Sequence, residues 1–157
     1  MSLSQNAQKI QEALAKQGAT CTVVELSAST HTANDAATAL GCEVAQIVKS
    51  LVFVTKTLKK PILVLASGSN RVNEKLISKE VGEKIEKADA TFVKETTGFQ
   101  IGGIPPLGHK QKIETYIDQD LLQWEKVWAA AGTPHAVFQV KSEDLQKLTE
   151  GKIIEIK

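Results

Sequence analysis

The sequence predicts an α+β domain, on three observations. About six or seven short strand-like segments are interleaved with about four or five helical ones. Strands and helices do not alternate regularly enough for a doubly wound parallel sheet. Two runs rich in β-branched residues, SLVFVT from Ser50 and PILVLA from Pro61, flank a lysine-rich turn (Lys56, Lys59, Lys60) and read as a hairpin with a buried face. At 157 residues the chain can bury one sizeable core, so residues 1–157 are expected to form a single domain.

The elements follow in order. Ser4 reads as the N-cap of a helix carrying Ala7, Ile10, Ala13, Leu14 and Gln17 at helical spacing, with Gly18 as its C′ glycine. Residues 21–26 (CTVVEL) predict a short strand, and the polar stretch Ser29-Thr30-His31-Thr32 a break. Thr32 then caps ANDAATAL, which stops at Gly41, and Glu43–Val48 predicts one further helical turn before the hairpin. Asn73 opens a helix with Leu76, Ile77 and Val81 on one side, and Asp89 caps ATFVKETT, which ends at Gly98. KIETYI is strand-like, and Asp118–Trp124 a turn with about one helical turn in it. KVWAAAG and AVFQV flank Thr133-Pro134-His135, Ser142 caps SEDLQKL, and IIEI is the last strand.

Composition narrows the function classes. Nineteen basic residues against eighteen acidic ones give a net charge of +1, which does not suit a broad duplex-binding face but allows a local patch for a nucleic-acid end. No charged-then-apolar leader and no apolar run near the roughly 20 residues of a membrane span are present, so a cytoplasmic protein is expected. Three histidines and two cysteines, none at metal-ligand spacing, predict no metal and no cofactor. There is no G-x-S-x-G elbow, P-loop or dinucleotide fingerprint, and hence no obvious nucleophile.

Three segments carry candidate chemistry. Gly98–Lys110, GFQIGGIPPLGHK, sets four glycines beside the adjacent Pro105 and Pro106. A loop that is stiff and bare of side chains offers main-chain N–H groups to a carbonyl oxygen or an oxyanion; it is equally read as a connecting turn. Lys49 lies among Ile47, Val48, Leu51 and Val52, so its ammonium either snorkels from a core edge or stands as a point charge in a cleft. Ser50 beside it is a pocket hydroxyl or a core group bonded to backbone. His135 follows Gly132-Thr133-Pro134 at a sharp turn between two strands, as a surface residue or as a general base.

Taken together, Lys49-Ser50-Leu51-Val52-Phe53, Gly102-Gly103-Ile104-Pro105-Pro106-Leu107-Gly108-His109 and Ala131-Gly132-Thr133-Pro134-His135, in that order, resemble the YbaK/prolyl-tRNA synthetase-associated editing domain family. The likeness runs over essentially the whole chain from the Thr32-Ala33 helix start. It implies a mixed β-barrel-like sheet of six or seven strands flanked by helices, and hydrolysis of a wrongly attached amino acid from tRNA, usually proline tRNA. Carried over, Lys49 matches the family's invariant lysine facing the terminal nucleotide and the aminoacyl group. Gly102 through Pro106 match the loop whose backbone contacts the ester, and His135 matches a residue of the opposite wall.

Lys49, Gly102, Gly103 and His135 are therefore the expected catalytic residues. His31, Thr32, Ser50, Ile104, Pro105, Pro106, Gly132 and Thr133 are the expected substrate-binding ones. An aminoacyl ester is already activated, so a water helped by the neighbouring ribose hydroxyl, or by His135, suffices. Lys49 is expected to hold the terminal phosphate or position the ester, with Lys56, Lys59, Lys110 and Lys112 near the CCA end. The expected partners are the tRNA acceptor end and prolyl-tRNA synthetase, with a monomer favoured and no membrane. Serine, threonine or alanine is the favoured mischarged residue, with cysteine open, because one methyl or hydroxyl is worth only about 1–3 kcal/mol of discrimination. Two other readings stay open: a non-catalytic module binding tRNA or a synthetase, and a cytosolic small-molecule binder using the loop as a lid.

Overall fold

The computed structural model describes residues 3–27 and 32–157. Four helix starts are fixed by short polar side chains that take up an otherwise orphaned N–H. Ser4 caps α1 (Gln5–Lys16), Thr32 caps α2 (Ala33–Leu40), Asn73 caps α3 (Glu74–Val81) and Asp89 caps α4 (Ala90–Thr97). The strands are β1 (Val23–Glu25), β2 (Ile47–Thr55), β3 (Pro61–Ser67), β4 (Ile85–Lys87), β5 (Glu114–Asp118), β6 (Lys126–Ala130), β7 (Ala136–Lys141) and β8 (Lys152–Ile154). They form one 8-stranded mixed sheet in the order β1-β7-β6-β2-β3-β5-β8, with β4 branching from β2.

The two faces of β3 explain its unbroken apolar run. Leu63 and Leu65 belong to a core shared with Ile10 and Leu14 of α1, while Ile62, Val64 and Ala66 pack with Ile77 of α3. A strand covered on both faces has no use for alternating polarity. A third, smaller cluster joins Ala36 and Ala37 of α2 to Ile47.

β2 organises the centre. One edge pairs with β3 from Val48 to Val54. The other edge is divided: β6 runs parallel at Ile47 and Val48, and β4 antiparallel at Phe53–Thr55. Gly68 N donates to Ile47 O and Thr55 N to Lys60 O, so the odd-numbered residues face β3. Ala88 N donates to Val52 O and Lys56 N to Lys84 O on the opposite side, so the even-numbered ones face the divided edge. Ser50 therefore directs its main-chain groups to a stretch of edge that no described strand occupies. Lys49, Ser50 and Leu51 are also the residues where burial along β2 is only partial.

Several boundaries differ from the sequence reading. The helical turn expected over Glu43–Val48 is a short 3-10 turn, Val44–Gln46, and β2 already begins at Ile47, drawn out by its pairing with β6. Lys49 is thus inside a strand rather than at its start. β4 was not expected, and it raises the strands to eight. Ser142 does not cap α5 (Asp144–Thr149): the N-cap is Glu143, without a side-chain bond, and Ser142 Oγ donates to Trp124 O.

Replacing Ser142 with alanine should therefore remove the partner of a part-buried carbonyl at the β6 approach. The expected loss is about 1–3 kcal/mol in urea unfolding, with helix content by circular dichroism unchanged.

Candidate active site

Two cavities open along the free stretch of β2. The first, about 270 Å³, is walled by Ala33 and Ala36 of α2, by Ile47 and Val48, and by Trp128, Ala129, Ala130 and Val137. Thr32, Gly102 and Ile104 complete it. The second, about 580 Å³, lies towards β4 and the residues before α3. Lys49, Ser50, Leu51, Ile101 and Ile104 line both. The Ser50 hydroxyl is buried and has no hydrogen-bond partner among the described residues, an orphaned polar atom at the junction of the two spaces.

The Lys49 ammonium is held in place. Its Nζ donates to Asn70 O at 2.6 Å. The Asn70 side chain donates to Asp118 Oδ2 at 2.9 Å and to Asp120 Oδ2 at 2.8 Å. Asp118, only 1% exposed at the end of β5, also accepts from Ser67 N and Asp120 N, and Lys157 pairs with Asp120 at 3.1 Å. The buried carboxylate thus fastens the loop between β3 and α3, and that loop fixes the lysine. Burial lowers the Lys49 pKa; Asp118 pulls it back up and Arg71 pushes it down.

The glycine-proline loop is tied to the 131–135 turn. Gly103 O accepts from Gly132 N at 2.9 Å, and Gly103 N donates to Gln100 O at 3.1 Å. A Cβ on Gly103 would lie 2.8 Å from the Thr133 backbone. Pro105 and Pro106 are buried, and Pro105 O accepts from His109 Nε2 at 2.6 Å. The carbonyl acceptor requires the proton on Nε2, and burial holds the His109 pKa below its ordinary value. The His109 ring also meets Phe99 edge-on at 6.4 Å.

Of the residues expected at the site, Lys49, Thr32, Ser50, Gly102 and Ile104 come together around the first cavity. Thr32 also caps α2, its Oγ1 accepting from Asp35 N at 3.0 Å. Gly103, Pro105, Pro106, Gly132, Thr133 and His135 line neither cavity. The Gly103 N–H is engaged within its own turn, and Gly102, half-buried, is the loop glycine that lines the cavity, between Ile101 and Ile104. His135 is exposed; its N donates to Thr133 Oγ1, and Leu26 N donates to its carbonyl. His31 lies outside the described residues. Asn70, Arg71 and Asp118 were missed, for they carry no motif spacing and meet only through strand ends.

Two outcomes follow from this geometry. Gly103→Ala should cost about 1–3 kcal/mol by denaturant unfolding, because the loop and the turn must separate to admit the methyl. The Lys49 amine should titrate below about 10.4, the ordinary lysine value, when followed by its Cε resonance. Asp118→Asn, which removes the charge favouring the ammonium, should move that midpoint lower still.

The profile of the aminoacyl-tRNA editing domain family matches residues 27–148. The crystal structure of a "putative trans-editing enzyme for prolyl tRNA synthetase" superposes with a TM-score of 0.93 at 46% identity, covering 99% of each chain. A "putative Cys-tRNA(Pro)/Cys-tRNA(Cys) deacylase EbsC" of Enterococcus faecalis is 30% identical over 79% of this chain and 76% of its own. A proline–tRNA ligase of Limosilactobacillus fermentum is 35% identical over 58% of this chain, which is 17% of the ligase. With the match spanning most of the sequence and the fold shared end to end, the chain belongs to the aminoacyl-tRNA editing domain family.

Proposed function

We propose that this protein hydrolyses the ester of a wrongly charged small amino acid on tRNA, with proline tRNA as the first candidate. The observation that carries this reading is the meeting of two cavities at Lys49 and Ser50. An aminoacyl-tRNA end has two unequal parts joined by one ester, and this site has two unequal compartments joined at one pair of polar residues. The smaller, mostly apolar space suits a short side chain. The relatives named for prolyl-tRNA synthetase and for proline tRNA supply the tRNA.

In this reading the ester carbonyl lies against Gly102, whose main chain serves the developing oxyanion. Lys49, fixed by Asn70, positions the ester and adds positive charge in a partly dry site. Ser50 Oγ takes the hydrogen bond to the aminoacyl group that it lacks in the free protein. The neighbouring ribose hydroxyl activates the water. Substrate assistance is preferred over His135 as base, since the imidazole lines neither cavity. Serine, threonine and alanine fit the smaller space; cysteine, named for the Enterococcus relative, is the isosteric fourth.

The test is deacylation of proline tRNA charged separately with Ala, Ser, Thr, Cys and Pro. One or more of the first four should be released and Pro spared. Lys49→Ala should lose on the order of 10²-fold in kcat/KM through misplacement of the ester, with His135→Ala close to wild type. Stable esters throughout would rule the reading out for this tRNA.

A further inference from the structure

The second cavity is larger than the first, and its walls carry a different chemistry. Arg71, from the loop fastened by Asn70 and Asp118, and Lys87, opposite Phe53 in the β2–β4 ladder, both line it. Arg71 is the chain's single arginine. Neither cation makes an ion pair among the described residues, whereas Lys59, Lys60, Lys112, Lys152 and Lys157 each do. The Lys49 ammonium between the two cavities gives one of its three N–H donors to the Asn70 carbonyl at 2.6 Å, which anchors it on the ester side. A phosphate in the second cavity lies among the two cations that line it, and a guanidinium presents a planar fork that matches two phosphate oxygens at once.

The remaining walls fit the rest of a nucleotide. Val52 and Val93 of one core and Phe53 of the other give it apolar walls, at 7%, 2% and 3% exposure. Glu74 is the one carboxylate lining the space. An acceptor among cations suits a ligand that carries an anionic phosphate together with hydroxyl and amino donors. We infer that the second cavity takes the terminal nucleotide of the tRNA, with Arg71 and Lys87 holding its 5′ phosphate. This rests on the editing reading, and it gives the phosphate to Arg71 and Lys87 rather than to Lys49.

The test compares two minimal esters of one amino acid, chosen from the panel above as one the wild type releases: the ester of adenosine, which has no phosphate, and the ester of the dinucleotide CpA, which has one. Wild type should prefer the CpA ester in kcat/KM by about tenfold or more, the value of a hydrogen bond to a charged group. In Arg71→Ala that ratio should collapse towards one, chiefly through KM, and Arg71→Lys should recover part of it. A preference that survives Arg71→Ala and Lys87→Ala overturns the assignment while leaving editing intact. If neither ester is cleaved, the decision passes to binding of uncharged CpCpA by chemical-shift titration. Shifts at Arg71 and Lys87 that Arg71→Ala abolishes support the assignment; their absence overturns it.

Discussion

The architecture turns on a strand that cannot be paired along its whole length. β2 is bonded without interruption on the β3 side, but on the other it is shared between a parallel and an antiparallel neighbour that do not meet. The interval leaves main-chain groups, a lysine and a hydroxyl with no partner among the described residues at one opening beside the core. Unpaired backbone in an interior is costly, and native folds keep it where a ligand or water can restore the bond. Both cavities, and every residue proposed to touch substrate, are arranged about that interval.

A buried carboxylate sets the electrostatics. Asp118 stabilises the folded loop through hydrogen bonds to two main-chain N–H groups and one amide, and it supplies a negative charge that helps Lys49 remain an ammonium in a partly desolvated place. Local rigidity and the protonation state of the lysine thus share one cause. A lysine on a four-carbon stem loses considerable rotamer freedom when held, and the Asn70 carbonyl takes that loss during folding rather than during binding.

Local signals in the sequence were read well because their physics is local. The caps at Ser4, Thr32, Asn73 and Asp89 need only a side chain two or three residues from an N–H, and Lys49, Ser50 and Gly102 of the family motif line one cavity. What escaped was set by partners far away in the chain. Ile85–Lys87 has two charges in three residues and becomes a strand only because β2 lies beside it. Ser142 has the chemistry of a cap, but Trp124 O competes for it and wins. Asp118 and Asn70 are 48 residues apart, and nothing in either neighbourhood announces the contact.

The smaller cavity is walled by β2 itself and, across from it, by Ala33 and Ala36 of α2 and by Trp128, Ala129 and Ala130 of β6, whereas the Lys49 ammonium is held by the β3–α3 loop and Gly102 sits in the loop knitted to the 131–135 turn. In the proposed reading, the α2 and β6 residues that bound the aminoacyl space lie on other pieces of chain from the loops that hold Lys49 and Gly102. Enlarging Ala33 or Ala36, or trimming Trp128, changes the room in the cavity without touching the contacts that hold Lys49 and Gly102. The size of that space is therefore adjustable at α2 and β6 without a change in the contacts that hold the lysine and the glycine-proline loop.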